Sequence, residues 1–348
     1  MRFRVRSRAV DEPSGLIGSE RHAGGMPTFA TVFGPEPFTL DEAVRLGLGR
    51  DVVRLLVSQR RLRRLMRGVY VDASVPDALD LRARAVAKAI PPGAVVCARS
   101  AAWLWGVDAL AMGSHRVLPR VEVMGAAGTA ASRRCDVHGS TGSLAEQDVV
   151  RLGAVLLTTP ARTAADLARL LRRPDAIAAL DAMMRLPGLT KADVQRVLDD
   201  FAGYRGVVQG RELVDLADPR AESPQESRCR LRCVDAGFPA PEPQIEVYDE
   251  AGAFIARLDM GWLALLKAVE FDGDETHSSV RQQSRDRTRR TRAENRGWLI
   301  AVVTSEHVLG RSLAFERGIS ELTGWAFRPT RNHPSRGGWD ARSRWSAA

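Results

Sequence analysis

Residues 254–277 read FIARLDMGWLALLKAVEFDGDETH, and this stretch decides the fold of the C-terminal part of the chain. Two apolar runs with the composition of β-strands, FIARLDMGW and KAVEFDG, carry Asp259, Glu270 and Asp272. A buried carboxylate that lacks a partner costs a protein several kcal/mol of stability. These acids therefore require either an ion-pair partner or a bound cation.

The elements around this stretch are predicted in the order helix, three strands, helix, strand. Ser223 is the predicted N-cap of the first helix, and Pro224 occupies its first position. The predicted strands are QIEVYD, FIARLDMGW, KAVEFDG and, after a long basic helix over 278–297, WLIAVVT. This order indicates one α/β unit.

The strand pattern predicts that the carboxylates converge. Glu270 and Asp272 are two residues apart on one strand and so point to the same face. Asp259 lies late on the neighbouring strand, and Glu226, in the first turn of the preceding helix, can join from above. Converging carboxylates repel each other unless a cation lies among them, and Mg²⁺ or Mn²⁺ suits such oxygen ligands. Such a metal can activate water for hydrolysis of a phosphodiester.

Three of the candidate residues also have a simple structural explanation. Glu226 could serve only as a capping-box glutamate, and Asp272 with the following glycine could form a turn. His277 is either a general acid or base near neutral pH or a loop histidine.

Asp259 and Glu270 are harder to explain without a function, because both lie inside apolar strands. Only an ion pair with Arg257 or Lys267 would explain them structurally. The sequence therefore favours Asp259 and Glu270 as the residues that bind the metal directly.

The helix after the acidic stretch is strongly basic. It has seven arginines between positions 281 and 296, where the backbone of a nucleic acid would need neutralising. Four of them are the predicted DNA contacts: Arg281, Arg285, Arg289 and Arg292.

A second basic region begins at FTLDEAVRLGLGRDVVRLLVSQRRLRRLMRGVYVDA, residues 38–73. Thr39 is a predicted N-cap, and the pattern of helix, tight turn, helix, arginine-rich turn and strand is typical of a winged helix-turn-helix. A charge run is often just a solvated face, but these arginines fall on the predicted recognition helix and wing. The predicted DNA contacts here are Arg50, Arg54, Arg60, Arg61, Arg63, Arg64 and Arg67.

Composition agrees with a nucleic-acid partner. The chain has 348 residues, enough for two or three domains, and 51 basic against 42 acidic residues give a net charge of +9. Only three of the basic residues are lysine, and arginine forms bidentate contacts with phosphate. A high-GC genome would explain that ratio equally well, although not the clustering of the arginines.

Other sequence features bear on the compartment. The four cysteines form no CxxC pair, which favours a reducing cytoplasm without a zinc site. The basic N-terminus lacks the apolar segment of a signal peptide, and no run approaches the 18 apolar residues of a membrane span.

The predicted domain organisation has five parts, and Met26 is an alternative start of the chain. The parts are a disordered arm at 1–36, a winged helix-turn-helix at 37–73, a mixed α/β middle region at 74–216, an endonuclease-like domain at 217–325 and a disordered basic tail at 326–348; the resemblances given below imply an antitoxin-like scaffold for 74–216 and a Vsr-like domain for 217–325.

The C-terminal motifs ESPQES, ARLDMGW, VEFDGDETH and GWLIAVVT resemble the family of domains related to the very-short-patch-repair (Vsr) endonuclease, within the PD-(D/E)XK superfamily. The resemblance implies a restriction-endonuclease-like fold and Mg²⁺-dependent cleavage of DNA. It matches the superfamily aspartate with Asp259 and its second acid with Glu270. Asp272 stands where most of the superfamily has lysine, a departure that the Vsr-like branch shares.

Residues 38–73, with LRRLMRGVYV as the recognisable part, resemble the winged-helix domain of AbiEi-type antitoxins of type IV toxin–antitoxin systems. That resemblance implies DNA binding, repression of the protein's own operon and a cognate toxin as partner. A second copy of the chain is a further expected partner.

The sequence thus predicts an α/β multi-domain protein with an N-terminal winged helix, a mixed α/β middle region and a C-terminal endonuclease-like domain. The first functional hypothesis is a cytoplasmic, Mg²⁺-dependent DNA endonuclease. The second is an AbiEi-like antitoxin or repressor that keeps the nuclease fold without catalysis. An enzyme acting on RNA ranks last, because no RNA-binding motif with stacked aromatic residues is present.

Overall fold

The structure, a computed structural model, describes residues 34–109, 120–125, 137–140, 144–272 and 280–339. Over these residues the chain is mixed α/β, with three sheets and twelve α-helices. None of the helices in these ranges combines the length and the apolar composition that crossing a membrane requires.

The N-terminal part contains two helices and a small sheet with strand order β1-β3-β2. Thr39 caps the first helix: its hydroxyl accepts from the Glu42 N–H at 3.1 Å, and the Glu42 carboxylate accepts from the Thr39 N–H at 2.7 Å. The arginine-rich stretch forms a strand rather than the predicted turn: it pairs with β3 and buries Leu62, Leu65 and Met66. The elements are β1 (Phe38–Thr39), α1 (Leu40–Arg45), α2 (Arg50–Ser58), β2 (Leu62–Met66) and β3 (Val69–Asp72).

The middle part contains a five-stranded sheet, more strands than the two or three that the sequence predicts. Its order is β6-β5-β4-β8-β7. The strands are β4 (Val95–Val96), β5 (Val121–Met124), β6 (Val137–Ser140), β7 (Val149–Leu152) and β8 (Val155–Thr158). The helices are α3 (Leu79–Ala89), α4 (Ala98–Leu104), α5 (Pro160–Leu170), α6 (Arg173–Met183), α7 (Lys191–Asp199) and α8 (Val207–Leu216).

The C-terminal part contains a four-stranded sheet with the order β12-β11-β10-β9. The β9–β10 and β10–β11 pairs are antiparallel, and β11–β12 is parallel. The predicted order of helix, three strands, helix, strand is confirmed. The elements are α9 (Pro224–Asp235), β9 (Glu242–Tyr248), β10 (Phe254–Trp262), β11 (Lys267–Phe271), α10 (Val280–Glu294), β12 (Leu299–Val303), α11 (Ser305–Leu309) and α12 (Ala314–Thr323).

Local sequence explains how α9 begins and how β10 and β11 meet. The Ser223 hydroxyl accepts from the Glu226 N–H at 3.2 Å, as the predicted N-cap requires. Gly261 lets the two strands approach closely, because a Cβ at this position would lie 2.3 Å from the Lys267 carbonyl oxygen.

Buried ion pairs join α9 to the middle part of the chain. Arg173 on α6 pairs with Asp235 at 2.7 Å, and Arg230 on α9 pairs with Asp181 at 2.8 Å. The connection from α8 to α9, where the sequence predicts a domain boundary, therefore joins two regions that share a buried interface.

The sequence predicts a disordered tail from residue 326, but in the structure residues 326–339 include side chains that pack into the core. Trp339 is 5% exposed and donates its indole N–H to Asp235 at 2.9 Å, and the buried His333 bonds Glu316 at 2.7 Å. The basic composition of this segment predicts disorder, although the segment contains two large side chains, His333 and Trp339, that are buried. Residues 340–348 and residues 1–33 of the predicted arm lie outside the described residues.

Candidate functional site

Asp259 and Glu270 lie side by side on β10 and β11. The antiparallel pairing of β10 with β11 runs from Trp262–Lys267 to Met260–Val269, and Asp259 and Glu270 are the next residues on the two strands. The two carboxylates are close enough for Glu270 to raise the pKa of Asp259. The Asp259 carboxylate also accepts a hydrogen bond from the Phe271 N–H at 2.8 Å. The predicted convergence of these two acids is therefore present.

The environment of Asp259 disfavours its charged form. Burial raises the pKa of Asp259 to about 6, and repulsion from Glu226 and Glu270 adds to this effect. The Phe271 N–H and the Arg289 guanidinium act in the opposite direction without outweighing the burial. Three carboxylates thus share one electrostatic environment, in which added positive charge is favourable.

Glu226 joins the cluster from the first turn of α9. Its side chain is buried and accepts from the Glu222 N–H at 3.0 Å and from the Gln244 side chain at 2.8 Å. A complete capping box would need a bond to the N–H of the cap residue, so only half of that motif forms. Gln244 has a φ of +57°, a strained value for a residue other than glycine, and such strain is concentrated at functional sites.

Glu270 is paired with two arginines of α10. Its side chain is buried at 4% exposure, and one carboxylate oxygen accepts from Arg290 Nε at 2.9 Å and Nη2 at 2.8 Å. The other oxygen accepts from Arg289 at 3.3 Å. An ion pair of Glu270 therefore exists, but with arginines of α10 rather than with Arg257, which pairs with Glu222 at 2.8 Å.

The remaining predicted site residues are more peripheral. Asp272 is exposed just after β11, and its N–H donates to the Val303 carbonyl at 2.8 Å. Arg292 is exposed on α10. His277 lies outside the described residues, as do the side chains of Arg281 and Arg285.

The donor chemistry of the cluster suits a hard divalent cation. Asp259 and Glu270 supply carboxylate oxygens, and Mg²⁺ needs only one or two protein carboxylates beside water and phosphate. Among the described residues, no group of three or more His, Cys, Asp or Glu side chains is arranged to hold a metal ion. Both oxygens of Glu270 face Arg289 and Arg290, so a site of two carboxylates would form only if Glu270 were released from these arginines.

The arginines of the N-terminal part form a second charged surface. Arg63 differs from the others, since it donates to the Val75 carbonyl at 2.8 Å and lies 3.9 Å from Asp77. Arg54 pairs with Asp51 at 3.2 Å, but both side chains are so exposed that the pair contributes little to stability. The exposed arginines are Arg50, Arg54, Arg60, Arg61, Arg64 and Arg67.

Two contacts of the acidic cluster were not anticipated from the sequence. Arg290 was counted only as part of the basic helix, and Gln244 only as part of a strand. Seven arginines lie between positions 281 and 296, and which of them meets Glu270 depends on the rotation of the helix. Gln244 has no signal in the sequence that marks it as a partner of Glu226.

Comparison with known proteins gives the family. Two proteins of Mycobacterium tuberculosis, MT2308 of strain CDC 1551 and Rv2248 of strain H37Rv, are each 33% identical to this chain over 260 residues. The alignment covers 74% of this chain and 91% of each of theirs. The chain belongs to the family of these two proteins. Both family members are described as uncharacterized, so membership by itself assigns no activity.

One region of the chain also matches a named domain. The family model of the AbiEi antitoxin C-terminal domain matches residues 94–216, from β4 to α8. The AbiEi-like character of the chain is thus shown in its middle part, whereas the resemblance in the sequence was seen at 38–73. The crystal structure of RV2827C from Mycobacterium tuberculosis aligns with a TM-score of 0.30 and 14% identity over 62% of this chain and 84% of that one, too weak to support an argument.

Proposed function

We propose that the chain binds DNA and that its C-terminal carboxylates form a Vsr-like, divalent-metal-dependent endonuclease site. The observation that carries this proposal is that Asp259 and Glu270 directly follow the Met260–Val269 pair on adjoining strands, with Glu270 and Glu226 both close enough to raise the pKa of Asp259. Glu270 has arginine partners, but the bonds to Asp259 and Glu226 come from neutral N–H donors, and carboxylates that lie close together favour a cation.

The topology of the C-terminal part supports the same proposal. The helix, the antiparallel strands β9, β10 and β11, the basic helix and the parallel strand β12 follow in the order predicted for the region that resembles Vsr-like domains. Asp259 and Glu270 lie on β10 and β11, the two inner strands of this sheet.

Asp259 and Glu270 would hold the cation in this proposal. A bound divalent cation supplies an activated water and stabilises charge on a phosphodiester. Glu226 orients the cluster through its bond from Gln244, and Asp272 lies at its exposed edge. His277 remains the predicted proton-transfer group, and Arg281, Arg285, Arg289 and Arg292 are proposed to hold the DNA backbone.

The N-terminal part is proposed to be a winged helix-turn-helix. Helix α2 would be the recognition helix, and the β2–β3 hairpin would be the wing. The six exposed arginines lie on or beside these elements, which supports phosphate contacts.

The test is cleavage of supercoiled plasmid and mismatched duplex with Mg²⁺ or Mn²⁺. Wild type should nick DNA only with metal, and Glu270→Gln should abolish nicking because it removes a charged ligand. Glu306→Gln, an exposed change of the same kind on α11, is the matched control and should nick like wild type. The absence of metal-dependent nicking in wild type would rule out the nuclease.

A second candidate function is an AbiEi-like antitoxin and repressor that does not cleave DNA. The match of residues 94–216 to an AbiEi domain favours it, as does the ion pair that already neutralises Glu270. A cognate toxin and operator DNA would then be its partners. Tight, salt-sensitive DNA binding without cleavage in wild type and Glu270→Gln would support this function.

A further inference from the structure

We propose that Arg290 is a positioning residue that exchanges Glu270 for a DNA phosphate and thereby couples metal binding to DNA binding. This inference rests on the proposed nuclease function. Without DNA, Arg290 occupies the carboxylate that would ligate the metal. When a DNA phosphate binds the Arg290 guanidinium in place of Glu270, the Glu270 carboxylate becomes available to the cation.

The contacts of Glu270 show why metal and arginine compete for it. Arg290 directs both Nε and Nη2 at one carboxylate oxygen, at 2.9 and 2.8 Å, and Arg289 approaches the other oxygen at 3.3 Å. Because both oxygens of a buried carboxylate are engaged, a cation gains Glu270 only when Arg290 moves. Two guanidinium charges beside the site also repel an incoming cation.

Arg290 is placed to make this exchange. Its side chain is 27% exposed while that of Glu270 is 5% exposed, so the guanidinium lies at the border between the buried acid and solvent. Arginine binds phosphate oxygens with the same planar, two-pronged geometry with which it binds a carboxylate. A backbone phosphate can therefore replace Glu270 without leaving the guanidinium unpaired.

Arg289 is the weaker of the two partners. Its bonds to Glu270 and to the Arg257 carbonyl measure 3.3 and 3.4 Å, and its Nε is buried without a hydrogen-bond partner among the described residues. Arg290 thus makes the stronger contact, and the exchange is assigned to it.

The exchange predicts a reciprocal coupling between the two ligands. If DNA raises the affinity for metal, metal raises the affinity for DNA by the same factor. We expect a factor of about ten, within the range that is common for such coupling.

The experiment measures Mn²⁺ binding by electron paramagnetic resonance, with and without a short phosphorothioate duplex. For wild type, the duplex should tighten Mn²⁺ binding about tenfold. Arg290→Gln should bind Mn²⁺ about tenfold more tightly than wild type without DNA, and the duplex should then add little. Arg287→Gln removes an exposed charge from the same helix and should behave like wild type.

Two further results separate the failure of this inference from that of the proposed function. If wild type binds Mn²⁺ and Arg290→Gln binds it with the same affinity, the exchange is overturned but the nuclease is not. Wild type that binds no Mn²⁺ with or without duplex, and does not nick plasmid, overturns the nuclease as well. Should Arg290→Gln fold poorly, Arg290→Lys keeps the charge without the two-pronged contact, and it should bind Mn²⁺ more tightly than wild type.

Discussion

The Asp259 carboxylate accepts a hydrogen bond from the backbone N–H of Phe271 at 2.8 Å. This bond ties β10 to β11 beyond the Met260–Val269 pair and holds the carboxylate beside Glu270. It also lowers the pKa of Asp259, but burial outweighs it and raises that pKa to about 6. The backbone therefore keeps in place a carboxylate whose charge the surroundings disfavour.

Asp259→Asn should stabilise the metal-free protein at pH 8. The folded state binds the Asp259 proton more tightly than the unfolded state, so the free energy of unfolding falls as pH rises from about 4 to about 6 and stays lower above that. Asparagine can still accept from the Phe271 N–H but carries no charge. Thermal unfolding in EDTA at pH 8 should show a gain of about 1–2 kcal/mol, less than the full shift because the hydrogen bond is weaker.

The same measurement at pH 4 supplies the control, because Asp259 is then protonated and the gain should disappear. Asp272→Asn, an exposed change nearby, should alter stability little at either pH. A loss of stability for Asp259→Asn at pH 8 would contradict this account of the cluster.

Local features of the fold could be predicted from the sequence. The strand over 254–262 matches its prediction residue for residue, because the apolar composition that favours a strand is a property of neighbouring residues. Thr39 and Ser223 cap helices as predicted, since a cap involves residues only three positions apart.

Features that depend on distant residues could not be predicted. Arg290 meets Glu270 across 20 positions, and Trp339 meets Asp235 across 104. Nothing in the local pattern selects one arginine of a basic helix, or one tryptophan of a polar tail, as the partner of a buried acid. The acids of the site were found because carboxylates in apolar strands are anomalous, whereas their arginine partners looked like ordinary surface charge.

Glu316→Gln should strongly destabilise the C-terminal part. Glu316 and Arg232 form an ion pair at 2.6 Å with both side chains fully buried, and His333 bonds the same carboxylate. Removing the negative charge leaves the Arg232 guanidinium buried without a counter-ion, which costs about 3–5 kcal/mol. Urea unfolding followed by tryptophan fluorescence at pH 7 should show this loss.

Arg196→Gln provides the comparison for the buried pair. It breaks an ion pair with Asp193 in which the arginine side chain is 73% exposed, so the loss should be below about 1 kcal/mol. Equal effects of the two substitutions would mean that the interior around Arg232 admits water.

Trp339→Phe should reveal how firmly the segment after α12 is attached. Phenylalanine keeps most of the apolar contact but cannot donate to Asp235, whose pKa burial already raises. We expect a loss of about 1–3 kcal/mol in the free energy of unfolding, because the buried carboxylate loses one of its donors and keeps only the bonds from Arg173 among those described. Arg336→Gln changes an exposed residue of the same segment and should have little effect. A neutral Trp339→Phe would support the tail that the sequence predicted.

Arg67→Gln and Arg63→Gln should separate DNA contact from structural support in the N-terminal part. Arg67 is exposed after β2, so its loss should weaken DNA binding at all sequences and lower the slope of log affinity against log salt by about 1. Arg63 is held by the Val75 carbonyl, so its loss should lower the melting temperature and leave the salt slope unchanged. Fluorescence anisotropy with a duplex at several salt concentrations measures both slopes. If both variants lower the slope of log affinity against log salt equally, the arginines attract DNA through their summed charge and not through individual exposed residues.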